Sequence, residues 1–101
     1  MPTAYVTAPR DAAADLAERL VDRRLAACVN VLDCRSVYRW EGDVVRDDEA
    51  VLLAKTTDDA YGDLAAFVHR EHPHDVPCVE RFDETEVALA FGEWVAESVG
   101  E

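Results

Sequence analysis

With 101 residues, half of them apolar, the chain can build one hydrophobic core and not two, so residues 1–101 are expected to form a single domain. Acidic residues number 22 against 9 Arg and a lone Lys, Lys55, and the resulting net charge of -12 repels polyanions, which excludes a nucleic-acid partner held by phosphate contacts. No apolar run is long enough to span a bilayer and no basic-then-apolar leader opens the sequence, so a cytoplasmic protein without a membrane partner is expected.

The stretch TAYVTA (3–8) is β-branched and aromatic and ends at Pro9, which predicts a first strand. Asp11 is placed to cap a helix running to residue 25, with Ala13, Leu16, Ala17, Leu20 and Val21 on one face. Residues 26–56 divide into two strand-like runs joined near Glu41, Gly42 and Asp43, each about twice the usual strand length. A second helix is expected from about Asp58, with Tyr61, Leu64, Ala65 and Val68 on its apolar face and His72 on the same stripe. Pro73 forbids its continuation. Cys78 to Phe82 reads as another strand. Asp83 and Glu86 have the spacing of a capping box, and a last helix carries Val87, Ala90, Phe91, Trp94 and Val95 on one face.

The order β-α-β-β-α-β with a C-terminal helix points to an α+β, ferredoxin-like fold, an antiparallel sheet with helices on one face. A hairpin that long would leave edges unpaired and Val37, Tyr38, Trp40 and Val44 exposed. Pairing with neighbouring subunits removes that liability, so self-association is expected. Acidic residues are spread along every segment, and with a single Lys this suggests a halophilic protein adapted to a salt-rich cytoplasm. Cys28, Cys34 and Cys78 form no CxxC pair and are expected to be free thiols, with neither a disulfide framework nor a structural zinc site.

The segments YVTAP (5–9), RLAACVNV (24–31), SVYRWEG (36–42), LLAKT (52–56) and HPHDVP (72–77), with Trp94 in the final helix, resemble the CutA family of divalent-cation tolerance proteins. The resemblance runs in order from residue 5 to about residue 95. It implies a ferredoxin-like subunit related to PII-type signalling proteins, and a homotrimer whose long hairpins pair between subunits. It further implies a non-enzymatic role in tolerance of copper and other divalent cations, with no obligatory cofactor. One departure stands out: the family pattern HPYEVP has His74 and Asp75 here in place of Tyr and Glu. Asp keeps the charge, and His keeps a flat ring while adding a titratable nitrogen.

The stretch HREHPHDVPCVE (69–80) holds all three histidines and Cys78, residue types that copper and zinc favour. His69 reads as a solvated side chain. His72 reads first as a histidine packed at a helix end, where ring N–H groups meet terminal carbonyls, and only second as a ligand. His74, helped by Cys78 or Glu80, is the better place for Cu²⁺, in an open site of modest affinity. Cys28 and Cys34 share a strand face about 20 Å apart at ~3.3 Å per residue, too far to share an ion within one subunit.

The four glycines (Gly42, Gly62, Gly92 and Gly100) are isolated and make no phosphate loop. Nothing ties Ser36, the histidines and Lys55 into a nucleophile-and-base set. The reading is therefore a divalent-cation binder, copper first, that contributes to metal tolerance. Its competitors are a PII-like sensor of a small metabolite in an inter-subunit cleft and a trimeric scaffold, since one fold serves all three.

Overall fold

The computed structural model describes residues 1–100. Strand β1 (Pro2–Pro9) buries Ala4, Val6 and Ala8 on one face and turns Thr3, Tyr5 and Thr7 to the other. Helix α1 (Arg10–Asp22) follows at once. Asp11 is not its cap. Pro9 holds that position without a side-chain bond, while Asp11 sits in the first turn, where its carboxylate accepts from the Ala12 N–H and complements the helix dipole. The helix ends before residue 25 because Arg24 adopts a φ of 59°, and the N–H groups of Leu25 and Ala26 both return to the Leu20 carbonyl.

Strands β2 (Cys28–Trp40) and β3 (Asp43–Lys55) pair without a bulge from Cys28 opposite Lys55 to Trp40 opposite Asp43. Glu41 and Gly42 form a two-residue turn with φ of 49° and 88°, the doubly left-handed turn whose twist matches that of the strands. Gly42 takes the more strained of the two positions at no steric cost. Thirteen residues at ~3.3 Å each reach roughly 43 Å, which accounts for the 44 Å long axis of the molecule.

Helix α2 (Asp58–Glu71) is capped by Thr57, whose hydroxyl accepts from the Ala60 N–H at 3.2 Å, and Asp58 and Asp59 fill its first turn. It stops at His72, which is extended (φ -72°, ψ 139°), as the residue before a proline must be. Strand β4 (Cys78–Asp83) then pairs with β1. The sheet order is β2-β3-β1-β4 and every neighbouring pair is antiparallel, which is the ferredoxin-like arrangement.

The core lies between one sheet face and the two longer helices. The sheet supplies mostly small residues (Ala4, Val6, Ala8, Ala50 and Ala54) around Leu52, and the helices supply mostly larger ones, among them Leu16, Leu20 and Leu64. Phe67, absent from the predicted stripe, is fully buried, with the guanidinium carbons of Arg19, Arg23 and Arg70 at 5.0, 4.9 and 5.4 Å from its ring centroid. These cations cover the ring with favourable electrostatics.

Helix α3 (Leu89–Ser98) starts later than the capping-box spacing predicts. Asp83 is drawn into β4 opposite Pro2, its carboxylate bound by Arg81, and so cannot cap a helix. Of the predicted apolar face only Val95 is buried, against Ala27 and Val99, while Phe91 and Trp94 pack on each other at 5.7 Å and face outward. The helix end is pinned to the α1–β2 turn: the Arg24 side chain donates to the carbonyls of Glu97 and Gly100, and the Gly100 N–H donates to the Arg24 carbonyl.

With a net charge of -12, self-repulsion opposes the folded state and salt screens it. The melting midpoint is expected to climb steeply from low to molar salt at fixed scan rate, and a flat midpoint would mark an ordinary acidic protein. Arg19 on α1 donates to Glu71 on α2, and this bond, opposed by desolvation, holds the Glu71 carboxyl below its ordinary value of 4.5. A depressed folded-state value adds stability above about pH 4.5 that disappears as pH falls through it. Glu71→Gln should therefore lower the midpoint slightly at pH 7, and the gap to wild type should close in acid. A gap unchanged from pH 7 to strong acid would show that the ion pair is not its source.

Candidate functional site

All three helices leave the second sheet face bare. Alternation places Tyr5, Thr7, Leu32, Tyr38, Trp40, Glu49, Val51, Leu53 and Phe82 on it, together with the three free thiols, Cys28, Cys34 and Cys78. β1 ends at Pro9 opposite Glu49, so residues 35–40 and 43–48 overhang the rest of the sheet. Val37 is 66% exposed and Trp40 48% exposed along this overhang. The loop 73–77 enters the corner between the overhang and the start of β4. Between them lies a cavity of about 640 Å³, lined by Thr7, Ser36, Tyr38, Trp40, Glu49, His74 and Cys78 among others.

His72 fixes this corner. Its Nε2–H donates to the Thr7 carbonyl at 2.7 Å, and its Nδ1 accepts from the His74 N–H at 3.0 Å. A carbonyl can only accept and an amide N–H can only donate, so the partners set the tautomer. The buried ring thus ties the end of α2 to β1 and orients the loop, and neither nitrogen is left over for an ion. His74 is exposed beside it, the two rings 5.0 Å apart and tilted by 56°. His69 is exposed on α2.

The structure brings Cys78 and Glu80 together, the thiol donating to the carboxylate with Sγ 3.5 Å from Oε2. Burial pushes the Cys78 thiol up from its ordinary value and the Glu80 carboxylate adds to this, against an opposing hydrogen bond from Thr7. His74 and Cys78 share the cavity wall, but among the described residues no three His, Cys, Asp or Glu side chains converge into a group that would hold a metal ion.

Tyr38 donates its hydroxyl to Asp47, which pushes the phenol up to about 12 and fixes the ring against the overhang. Tyr5 is also raised, by burial first and then by the negative surroundings of Cys78, Cys34, Glu80 and Glu49. Sequence reasoning missed Glu49 and Thr7. The signal for Glu49 was present in the alternation of EAVLLAK (49–55), which sets its carboxylate on the face of Val51 and Leu53.

Fold and site together define a ferredoxin-like α+β protein whose central hairpin outruns its own sheet and walls a corner cavity. The chain belongs to the family described as CutA1 divalent ion tolerance protein, which it matches over residues 3–98. The divalent-cation tolerance protein CutA of Thermus thermophilus is 39% identical over 97 residues, 94% of each chain. The crystal structure of CutA1 from Pyrococcus horikoshii superposes with a TM-score of 0.95 at 30% identity, covering 100% of both chains. The PII-like protein CutA from Nostoc sp. PCC 7120 shares the fold at 22% identity, with a TM-score of 0.96 over 99% of this chain and 98% of that one.

Replacing His72 removes two hydrogen bonds from a buried ring, and replacing His74 removes an exposed side chain. His72→Ala is expected to destabilise by about 1–3 kcal/mol in thermal or denaturant unfolding, and His74→Ala by much less. Equal losses would mean that His72 does not organise the corner.

Proposed function

We propose that the chain is a non-enzymatic cation-handling protein of the cytoplasm that works as a homotrimer joined through its overhanging hairpins. It takes up divalent cations, Cu²⁺ first, at His74, with Cys78 and Glu80 as further contacts and His72 as the residue that orients them. The observation that carries the reading is the overhang. Two strand ends extend past β1 with unpaired edges and with Val37, Tyr38, Trp40 and Val44 exposed, a surface that calls for a second copy.

Family membership supports the cation role, and the net charge of -12 raises the local concentration of cations. An open site with so few ligands binds with modest affinity. A cation engaging Cys78 must displace its proton, so uptake weakens as pH falls. The corner cavity favours a second reading, a PII-like sensor of a small ligand, because about 640 Å³ is the size of a metabolite pocket.

Light scattering in high salt is expected to give about three times the 11.2 kDa chain mass, and a monomer there would overturn the trimer. Trp40→Glu should weaken assembly more than Trp94→Phe. Calorimetric titration with Cu²⁺ should show weak binding that His74→Ala reduces and His72→Ala largely retains. Loss of binding in His72→Ala alone, with stability intact, would shift the site to His72.

A further inference from the structure

The corner cavity has a one-sided charge. Glu49 and Asp75 line it, together with the hydroxyls of Thr7, Ser36 and Tyr38, and neither Arg nor Lys does. Glu49 is only 5% exposed. Among the described residues its carboxylate makes no hydrogen bond and no ion pair, and its oxygens keep some contact with solvent. The Arg10 guanidinium donates to the Glu49 backbone carbonyl at 3.3 Å and pairs with Asp33 at 3.5 Å. A carboxylate that lines the cavity with no cation beside it presents its charge there, and a cation in the cavity pairs with it.

The lining also decides what kind of cation. A divalent metal that sheds its water needs four or more protein ligands, and no group of three converges here among the described residues. An organic cation needs one counter-charge and a surface for its carbon. Tyr38, held by its bond to Asp47, and Trp40 supply aromatic faces of the kind that attract ammonium groups. We propose that the corner cavity binds a small organic amine, primary or quaternary, with Glu49 as its counter-ion and Tyr38 and Trp40 as its walls. The proposal rests on the small-ligand reading of the cavity; because His74 and Cys78 line the same cavity, its test is run without Cu²⁺.

The test is calorimetric titration of the assembled protein with tetramethylammonium and butylamine, with butan-1-ol and butyrate as neutral and anionic controls. Both cations should bind saturably and neither control should. The methyl protons of tetramethylammonium should shift upfield in the NMR spectrum under the ring currents of Tyr38 and Trp40. Glu49→Gln should retain the fold and weaken cation binding by about tenfold or more, as the loss of one partner from a desolvated charge pair does. Binding of butyrate or butan-1-ol in place of the cations would keep a small-ligand site and overturn the amine. Uptake of none of the four by the folded wild-type assembly would overturn both. Dissociation of the assembly by Glu49→Gln, with no amine uptake by wild type, would assign the carboxylate to a subunit contact and overturn the proposal. Should Glu49→Gln fail to fold, the wild-type ligand panel and the ring-current shift decide the matter alone.

Discussion

The unbroken antiparallel register between β2 and β3, closed by the left-handed Glu41-Gly42 turn, is the constraint from which the rest of the molecule follows. Every residue of the hairpin is paired across it, while β1 reaches only as far as Glu49. The mismatch in length produces an overhang, the overhang produces a corner, and the loop 73–77 closes that corner into a cavity. A β1 longer by one turn of alternation would reach Asp47 and shorten the notch. Chain length at one strand end thus sets the size of the corner.

His72 gives the corner its shape. Proline at position 73 stops α2 for reasons of backbone geometry alone, but the direction in which the chain leaves is set by the imidazole bridging Thr7 and His74. One buried ring therefore couples three elements: the last turn of α2, the end of β1 and the wall of the cavity. The side chains that line the cavity, His74 and Cys78 on one wall and Glu49 on another, inherit their positions from that bridge and from the sheet register.

Much of the fold was legible because it rests on local periodicity. The doubled length of the 26–56 runs announced the hairpin, and His72-Pro73 announced the end of α2. The misreadings share a physical cause, competition from tertiary partners. Asp83 has the spacing of a cap, but Pro2 and Arg81 hold it in β4. Phe67 lies three residues from Leu64 and is buried under three arginines that no local pattern predicts. Asp11 lost the cap position because the helix starts two residues earlier, directly after Pro9. The candidate site was less legible than the fold. The stretch 69–80 suggested that its histidines act together, yet His72 spends both nitrogens on backbone, and the enclosed carboxylate belongs to Glu49, some twenty residues earlier in the chain. Nothing in the composition of a chain this acidic singles out one carboxylate as buried; only the sheet register does.

The unbulged hairpin also governs how this protein can change in length. Because side chains alternate across a strand, inserting one residue on each side of Glu41-Gly42 would carry the tip side chains to the opposite face and exchange the bare surface for the helix-facing one. Only insertions or deletions of two residues per strand preserve which side chains look where, each moving the tip by roughly 7 Å. The hairpin is in this sense a ruler graduated in pairs. Variants that differ in reach should differ by whole divisions of it, with the tip contacts relocated in steps and never by continuous adjustment.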